Sequence, residues 1–163
     1  MSEKIVIGIS DQKTSRSPDT LVTYALGSCV GIMMFDPKSK TGGLAHIMLP
    51  TSSMVANSAS IDRMKFADTA VEDMLNSVIK KGARKKDIRA KIAGGANMFK
   101  ATGTNTFATI GARNIEAVRQ ELKRLGIPLV GEDVGNDYGR TVYFFLDSGK
   151  VEIQSLGHGV HEI

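Results

Sequence analysis

Cys29 is the only cysteine in 163 residues, and it closes the triplet Gly27-Ser28-Cys29 ahead of an almost wholly apolar run, Val30 to Phe35. The stretch Asp36-Pro37-Lys38-Ser39 separates that run from a second one, Gly43 to Leu49, which contains His46, one of three histidines. Asp at the first position and Pro at the second suit a type I turn. If Asp36 pairs with Ser39 across it, Cys29 and His46 stand opposite on adjacent antiparallel strands, with Cβ atoms ~5 Å apart. Such turns commonly carry a one-residue bulge, so this register holds to about a residue.

That juxtaposition has a definite chemistry. A free thiol with a pKa of ~8.5 is mostly protonated at neutral pH. An imidazole beside it can take the proton, giving the nucleophile and base that acyl transfer requires. Gly27 and Ser28 allow a sharp backbone approach, and amide groups there can point at an oxyanion. A third group must set the tautomer and tilt of the imidazole, and Thr23 on the preceding extended segment offers its hydroxyl or carbonyl. Other readings stand beside this one. A lone cysteine at a strand edge is most often an inert small hydrophobe. His46 within an apolar strand fits a satisfied core histidine, and Thr23 fits ordinary strand filling. Zinc ligation is disfavoured because no second cysteine supplies ligands. A cysteine phosphatase is disfavoured because Phe35 stands six residues after Cys29, where an arginine is needed.

The elements that must position these residues follow from local pattern. Lys4 to Ile9 reads as a short strand, and the polar stretch from Ser10 to Asp19 as a loop. Leu21 to Tyr24 is extended, Val30 to Phe35 is a strand covered on both faces, and Gly43 to Leu49 is a strand that stops at Pro50. The small polar residues from Thr51 to Ser60 suggest a mobile surface loop. From about Asp62 to Lys81 the apolar residues Phe66, Ala70, Val71, Met74, Leu75, Val78 and Ile79 form a helical stripe, with Gly82 as its stop. Ile88 to Ala93 returns to strand. The Gly-, Thr- and Asn-rich stretch from Gly94 to Gly111 lacks a phosphate-loop signature and reads as turns. A second helix places Ile115, Val118, Leu122 and Leu125 on one face, with Asn114 as its cap and Gly126 as its end. Leu129 to Glu132, Thr141 to Leu146 and Val151 to Ser155 are further strands, with a hairpin turn over Asp147 to Lys150. The tail from Gly157 is expected to be loose. These elements predict a single α+β domain over residues 1–163, layered and mostly β-strand, covered by two main amphipathic helices.

Composition narrows the function classes. Apolar residues make up 42% and charged residues 23%, an ordinary folded balance. No apolar run approaches the ~20 residues a membrane span needs, and the N-terminus lacks the apolar core and cleavage site of a signal peptide. With one cysteine and no internal disulfide, a reducing cytoplasm is expected. The net charge of +4 owes much to Lys80-Lys81-Gly82-Ala83-Arg84-Lys85-Lys86. Without tryptophan or a nucleic-acid module, that run reads as a solvated helix end rather than a nucleic-acid surface.

Five stretches in order, LGSCVGI at 26–32, AHIMLP at 45–50, KFADTAV at 65–71, AKIAGGANMF at 90–99 and IGARN at 110–114, resemble the CheD family of chemoreceptor glutamine deamidases. The resemblance runs from about Ile5 to Ser155. It implies an enzyme of chemotactic adaptation that converts receptor glutamines to glutamates, with a fold like the deamidase domain of cytotoxic necrotizing factor toxins. It assigns the nucleophile to Cys29, the base to His46 and support of the histidine to Thr23. Gly27 and Ser28 are expected to help hold the oxyanion. No metal and no cofactor are expected. The partners it implies are the cytoplasmic helices of chemoreceptors and the phosphatase CheC; a monomeric chain, no membrane insertion and no nucleic acid are expected beside it. The alternative is a non-catalytic adaptor that binds chemoreceptors and CheC.

Overall fold

Two adjacent strands, Val30–Asp36 (β4) and Thr41–Ile47 (β5), are buried over nearly their whole length. Strands apolar on both faces need cover on both sides, and the computed structural model, which describes residues 2–55, 61–98 and 109–163, supplies it. The remaining strands are Lys4–Val6 (β1), Asp11–Arg16 (β2), Thr20–Leu26 (β3), Arg89–Gly94 (β6), Leu129–Val134 (β7), Arg140–Phe145 (β8), Val151–Ser155 (β9) and Gly159–Glu162 (β10). The helices are Ala67–Lys81 (α1) and Ile110–Leu125 (α2). One sheet runs β2-β5-β4-β6-β7 and the other β1-β3-β8-β9-β10. β1–β3 and β6–β7 are parallel and the other pairs antiparallel.

Alternation along the strands sorts their side chains into two cores. Val30, Ile32 and Met34 of β4, with Ala45 and Ile47 of β5, meet the stripe Ala70, Val71, Met74, Leu75 and Val78 of α1 and Ile115, Val118 and Leu122 of α2. The intervening residues Met33 and Leu44 face the second sheet, packing with Leu21, Leu26, Val142, Phe144 and Ile153. The α+β class and the two covering helices are therefore as expected, but the helices lie on one side only. A second sheet covers the other, giving three layers.

Four local expectations are corrected. Asp11–Arg16 forms edge strand β2 rather than loop, paired with β5; its polar sequence reflects one solvent-facing side. The tail is tied down, because Gly159–Glu162 pairs with β9. α1 starts at Ala67, five residues later than expected, after Phe66 in an extended conformation. α2 starts at Ile110, so Asn114 lies inside it, buried, and is not its cap. Gly82 and Gly126 end the two helices as expected. The expected mobile loop falls partly on Ser52–Met54, a 3-10 turn, and otherwise on residues 56–60, outside the described residues; most of the Gly-, Thr- and Asn-rich stretch is likewise outside them.

Candidate active site

The β4–β5 register differs from the expected one. Asp36 pairs with Thr41, not Ser39, so Gly31 faces His46, and Cys29 lies two residues further on. The connection is a four-residue loop in which Lys40 takes the left-handed position (φ 51°). The Asp36 carboxylate accepts from the Lys38 N–H at 2.9 Å, the Ser39 hydroxyl at 2.9 Å and the Arg84 N–H at 2.9 Å. A two-residue shift preserves the face, and Cys29, just before β4, packs against the inter-sheet cluster, the side to which His46 alternates with Leu44. Diagonal pairs are ~7–8 Å apart between backbones and within reach of longer side chains.

Cys29 sits where the chain crosses from one sheet to the other, between β3 and β4. β3 prepares the crossing with a bulge: its register to β8 slips by one residue between Thr23 and Leu26, with Ala25 in the left-handed region (φ 56°). The extra residue lets Thr23 and Leu26 both face inward while Tyr24 and Ala25 are exposed. Gly27 itself does not make the close approach expected of it, since a Cβ there would only touch Met98 at 3.4 Å. That role falls to Gly94 (φ 105°), where a Cβ would lie 2.3 Å from the Cys29 carbonyl oxygen.

Thr23 and His46 meet between the sheets. Thr23 Oγ1 lies 2.7 Å from His46 Nδ1 and 2.8 Å from the Ile7 carbonyl. The hydroxyl has one proton, and the Ile7 carbonyl can only accept, so Thr23 donates to Ile7. His46 Nδ1–H must then donate to Thr23 Oγ1, which leaves the lone pair on Nε2. Nε2 is buried and has no partner among the described residues. Gly31, opposite His46, leaves this space open: a Cβ there would come within 3.7 Å of Thr23 Cγ2 and 3.2 Å of Leu26 Cδ1. Burial pushes the Cys29 thiol up and holds the His46 imidazole down to about 4. Burial thus favours the neutral form of both groups, an S–H donor and an imidazole nitrogen with a lone pair.

Each carbonyl of the crossing has a partner. The Gly27 oxygen accepts from the Ala96 N–H at 2.9 Å and the Cys29 oxygen from the Gly95 N–H at 2.8 Å. The Ser28 oxygen accepts from Asn114 Nδ2 at 2.9 Å. In a planar trans peptide the N–H of the next residue points opposite to the carbonyl. The Ser28 and Cys29 amides therefore point away from the donors that hold the preceding carbonyls. Gly27 and Ser28 meet these partners through their carbonyls, and Asn114, Gly94 and the Ile7 carbonyl are contacts of the site for which the sequence carries no signal. A groove of about 600 Å³ runs beside Gly27 along Ala25, Met98, Thr141 and Leu156. Among the described residues no group of three or more His, Cys, Asp or Glu side chains is arranged to hold a metal, and no helix is long and apolar enough to cross a membrane.

The family model described as CheD chemotactic sensory transduction matches residues 48–155. A probable chemoreceptor glutamine deamidase CheD of Caldanaerobacter subterraneus is 43% identical, covering 100% of both chains. The chemoreceptor glutamine deamidase CheD of Bacillus subtilis is 42% identical over 95% of this chain and 93% of its own. Among solved structures, the C-terminal domain of CNFy from Yersinia pseudotuberculosis is similar at a TM-score of 0.46 and 10% identity, covering 99% of this chain and 62% of that one.

Proposed function

Because the chain belongs to the CheD family, we infer that it deamidates glutamine side chains of chemoreceptors to glutamate, with Cys29 as nucleophile, His46 as acid and base, and Thr23 holding His46. The observation that carries this assignment is the hydrogen-bond chain from Ile7 through Thr23 to His46 Nδ1, which leaves Nε2 as a free acceptor on the face shared with Cys29.

In this reading Cys29 Sγ attacks the glutamine Cδ while its proton passes to His46 Nε2. The oxygen becomes an oxyanion facing the Ser28 and Cys29 amides. His46 returns the proton to the amide nitrogen, the C–N bond breaks, and ammonia leaves a thioester. Water then attacks with its proton moving to His46, the C–S bond breaks, and the protonated histidine restores the thiol. Glutamate and free enzyme result, and no cofactor takes part. Each turnover adds one negative charge to the receptor. CheC as a partner and a cytoplasmic location belong to the same reading and are supported by the family resemblance; a monomeric chain is the default beside it.

The test is incubation with a purified receptor cytoplasmic fragment, followed by intact-mass measurement and ammonia assay. Wild type should add about one dalton per converted amide, with Cys29→Ala inert. Turnover by Cys29→Ala, or none by wild type, refutes the assignment.

A further inference from the structure

We propose that Asn114 is a positioning residue for this reaction: it sets the peptide plane that presents the Cys29 amide to the oxyanion and ties it to the strand carrying His46. The proposal rests on the Cys29–His46 reading above.

Asn114 is fully buried in α2, on the stripe otherwise occupied by Ile110, Ile115, Val118 and Leu122. Its Nδ2 donates to two carbonyls, Ser28 O and Met48 O, each at 2.9 Å. Both partners can only accept, so the orientation of the amide is determined. Its Oδ1 is buried without a partner among the described residues, a cost that a hydrophobe at this stripe position would avoid. What the amide supplies in return is a bridge. Ser28 O belongs to the peptide unit whose N–H is that of Cys29. Donation to the carbonyl fixes that plane and polarises the N–H pointing the opposite way. Met48 follows His46 by two residues, just past the end of β5. The helix that holds Asn114 is itself seated closely, since a Cβ on Gly111 would lie 2.3 Å from the Ala96 carbonyl oxygen. Ala96 and Gly95 hold the Gly27 and Cys29 carbonyls. One cradle therefore fixes three successive carbonyls, and Asn114 also reaches across to the end of the His46 strand.

Two reactions of the same thiol separate this role from a merely structural one. Deamidation develops an oxyanion, whereas alkylation of Cys29 by iodoacetamide does not. Asn114→Ala should lower kcat on the receptor fragment by roughly 100-fold with KM nearly unchanged, while the pH profile of alkylation stays that of wild type. Asn114→Gln keeps both donors one methylene further out and should show a smaller loss in the same direction. Circular dichroism sets the folded fraction for each. Wild-type kcat per folded molecule in Asn114→Ala, or a parallel fall of alkylation and deamidation, overturns the proposal. If Asn114→Ala does not fold, Asn114→Gln decides: full kcat there overturns it, and failure of both to fold assigns Asn114 to the fold and overturns it too. Cys29→Ala is run alongside. Turnover by that variant removes the site reading itself, whereas an inert Cys29→Ala beside a fully active Asn114→Ala removes only the role of Asn114.

Discussion

Thr23→Val exchanges one hydroxyl for a methyl at a fully buried position, and the consequence falls on the tautomer of His46. Without Oγ1, the Nδ1–H loses its acceptor and the Ile7 carbonyl its donor. The tautomer with its proton on Nε2 then competes, and it cannot accept from Cys29. The expected result is a kcat lower by roughly 100-fold and a stability loss of about 1–3 kcal/mol for the orphaned groups, read by steady-state kinetics and thermal unfolding. The same burial makes a pH prediction. His46 protonates near 6.5 when exposed but is held down to about 4 in the fold; the carboxylate of Asp11, opposite it on β2, accepts from the Gln12 N–H at 2.8 Å. Between those two values the unfolded chain binds the extra proton, so stability present above pH 6.5 is lost as pH falls toward 4. The full span is about 3 kcal/mol. Urea midpoints measured across this window should fall for wild type and flatten for His46→Gln.

At the scale of elements, the β4–β5 hairpin depends on one carboxylate. Burial pushes the Asp36 carboxyl up, but the amides of Arg84, Lys38 and Ser39 and the Ser39 hydroxyl outweigh it and hold it below its usual value. Asp36→Ala leaves these donors without their acceptor and should cost about 2–3 kcal/mol in urea unfolding. Activity per folded molecule should persist, because Cys29 lies at the other end of β4. The same hairpin shows how far the sequence could be read. Asp36-Pro37 announces a turn, but loop length is decided by Lys40 accepting a left-handed backbone, for which lysine gives no signal. The expected register was therefore two residues off, yet the shared face survived because side chains alternate with period two. Helix stripes and buried strands were legible for the same reason of periodicity. β2 and β10 were not, because each is a sheet edge with one side to solvent and no strong apolar alternation. Asn114 has a capping residue's propensity, but its place on the apolar stripe puts it inside the helix, which begins four residues earlier at Ile110.

Across the whole molecule, neither sheet contains the candidate site alone: Thr23 belongs to one, His46 to the other, and Cys29 to the crossing. The alignment of the two sheets is therefore itself a functional quantity. Besides the apolar layer, an ion pair among the described residues joins them. Arg140 on β8, fully buried, donates through Nε and Nη2 to Asp133 Oδ1 on β7 at 3.3 and 3.2 Å. His161 Nε2 of β10 lies 2.6 Å from the other Asp133 oxygen. Arg140 is in register with Leu26, the last residue of β3 before the crossing. Asp133→Ala leaves a guanidinium buried without its counter-charge and should cost about 3–5 kcal/mol. Replacing both partners, Asp133→Leu with Arg140→Met, removes the charge along with its partner and should cost less than half as much. If sheet alignment sets the Thr23–His46 contact, Asp133→Ala also lowers kcat well below its melting temperature, and the double variant recovers it. Equal kcat per folded molecule in all three proteins shows instead that the apolar layer alone holds the sheets in register.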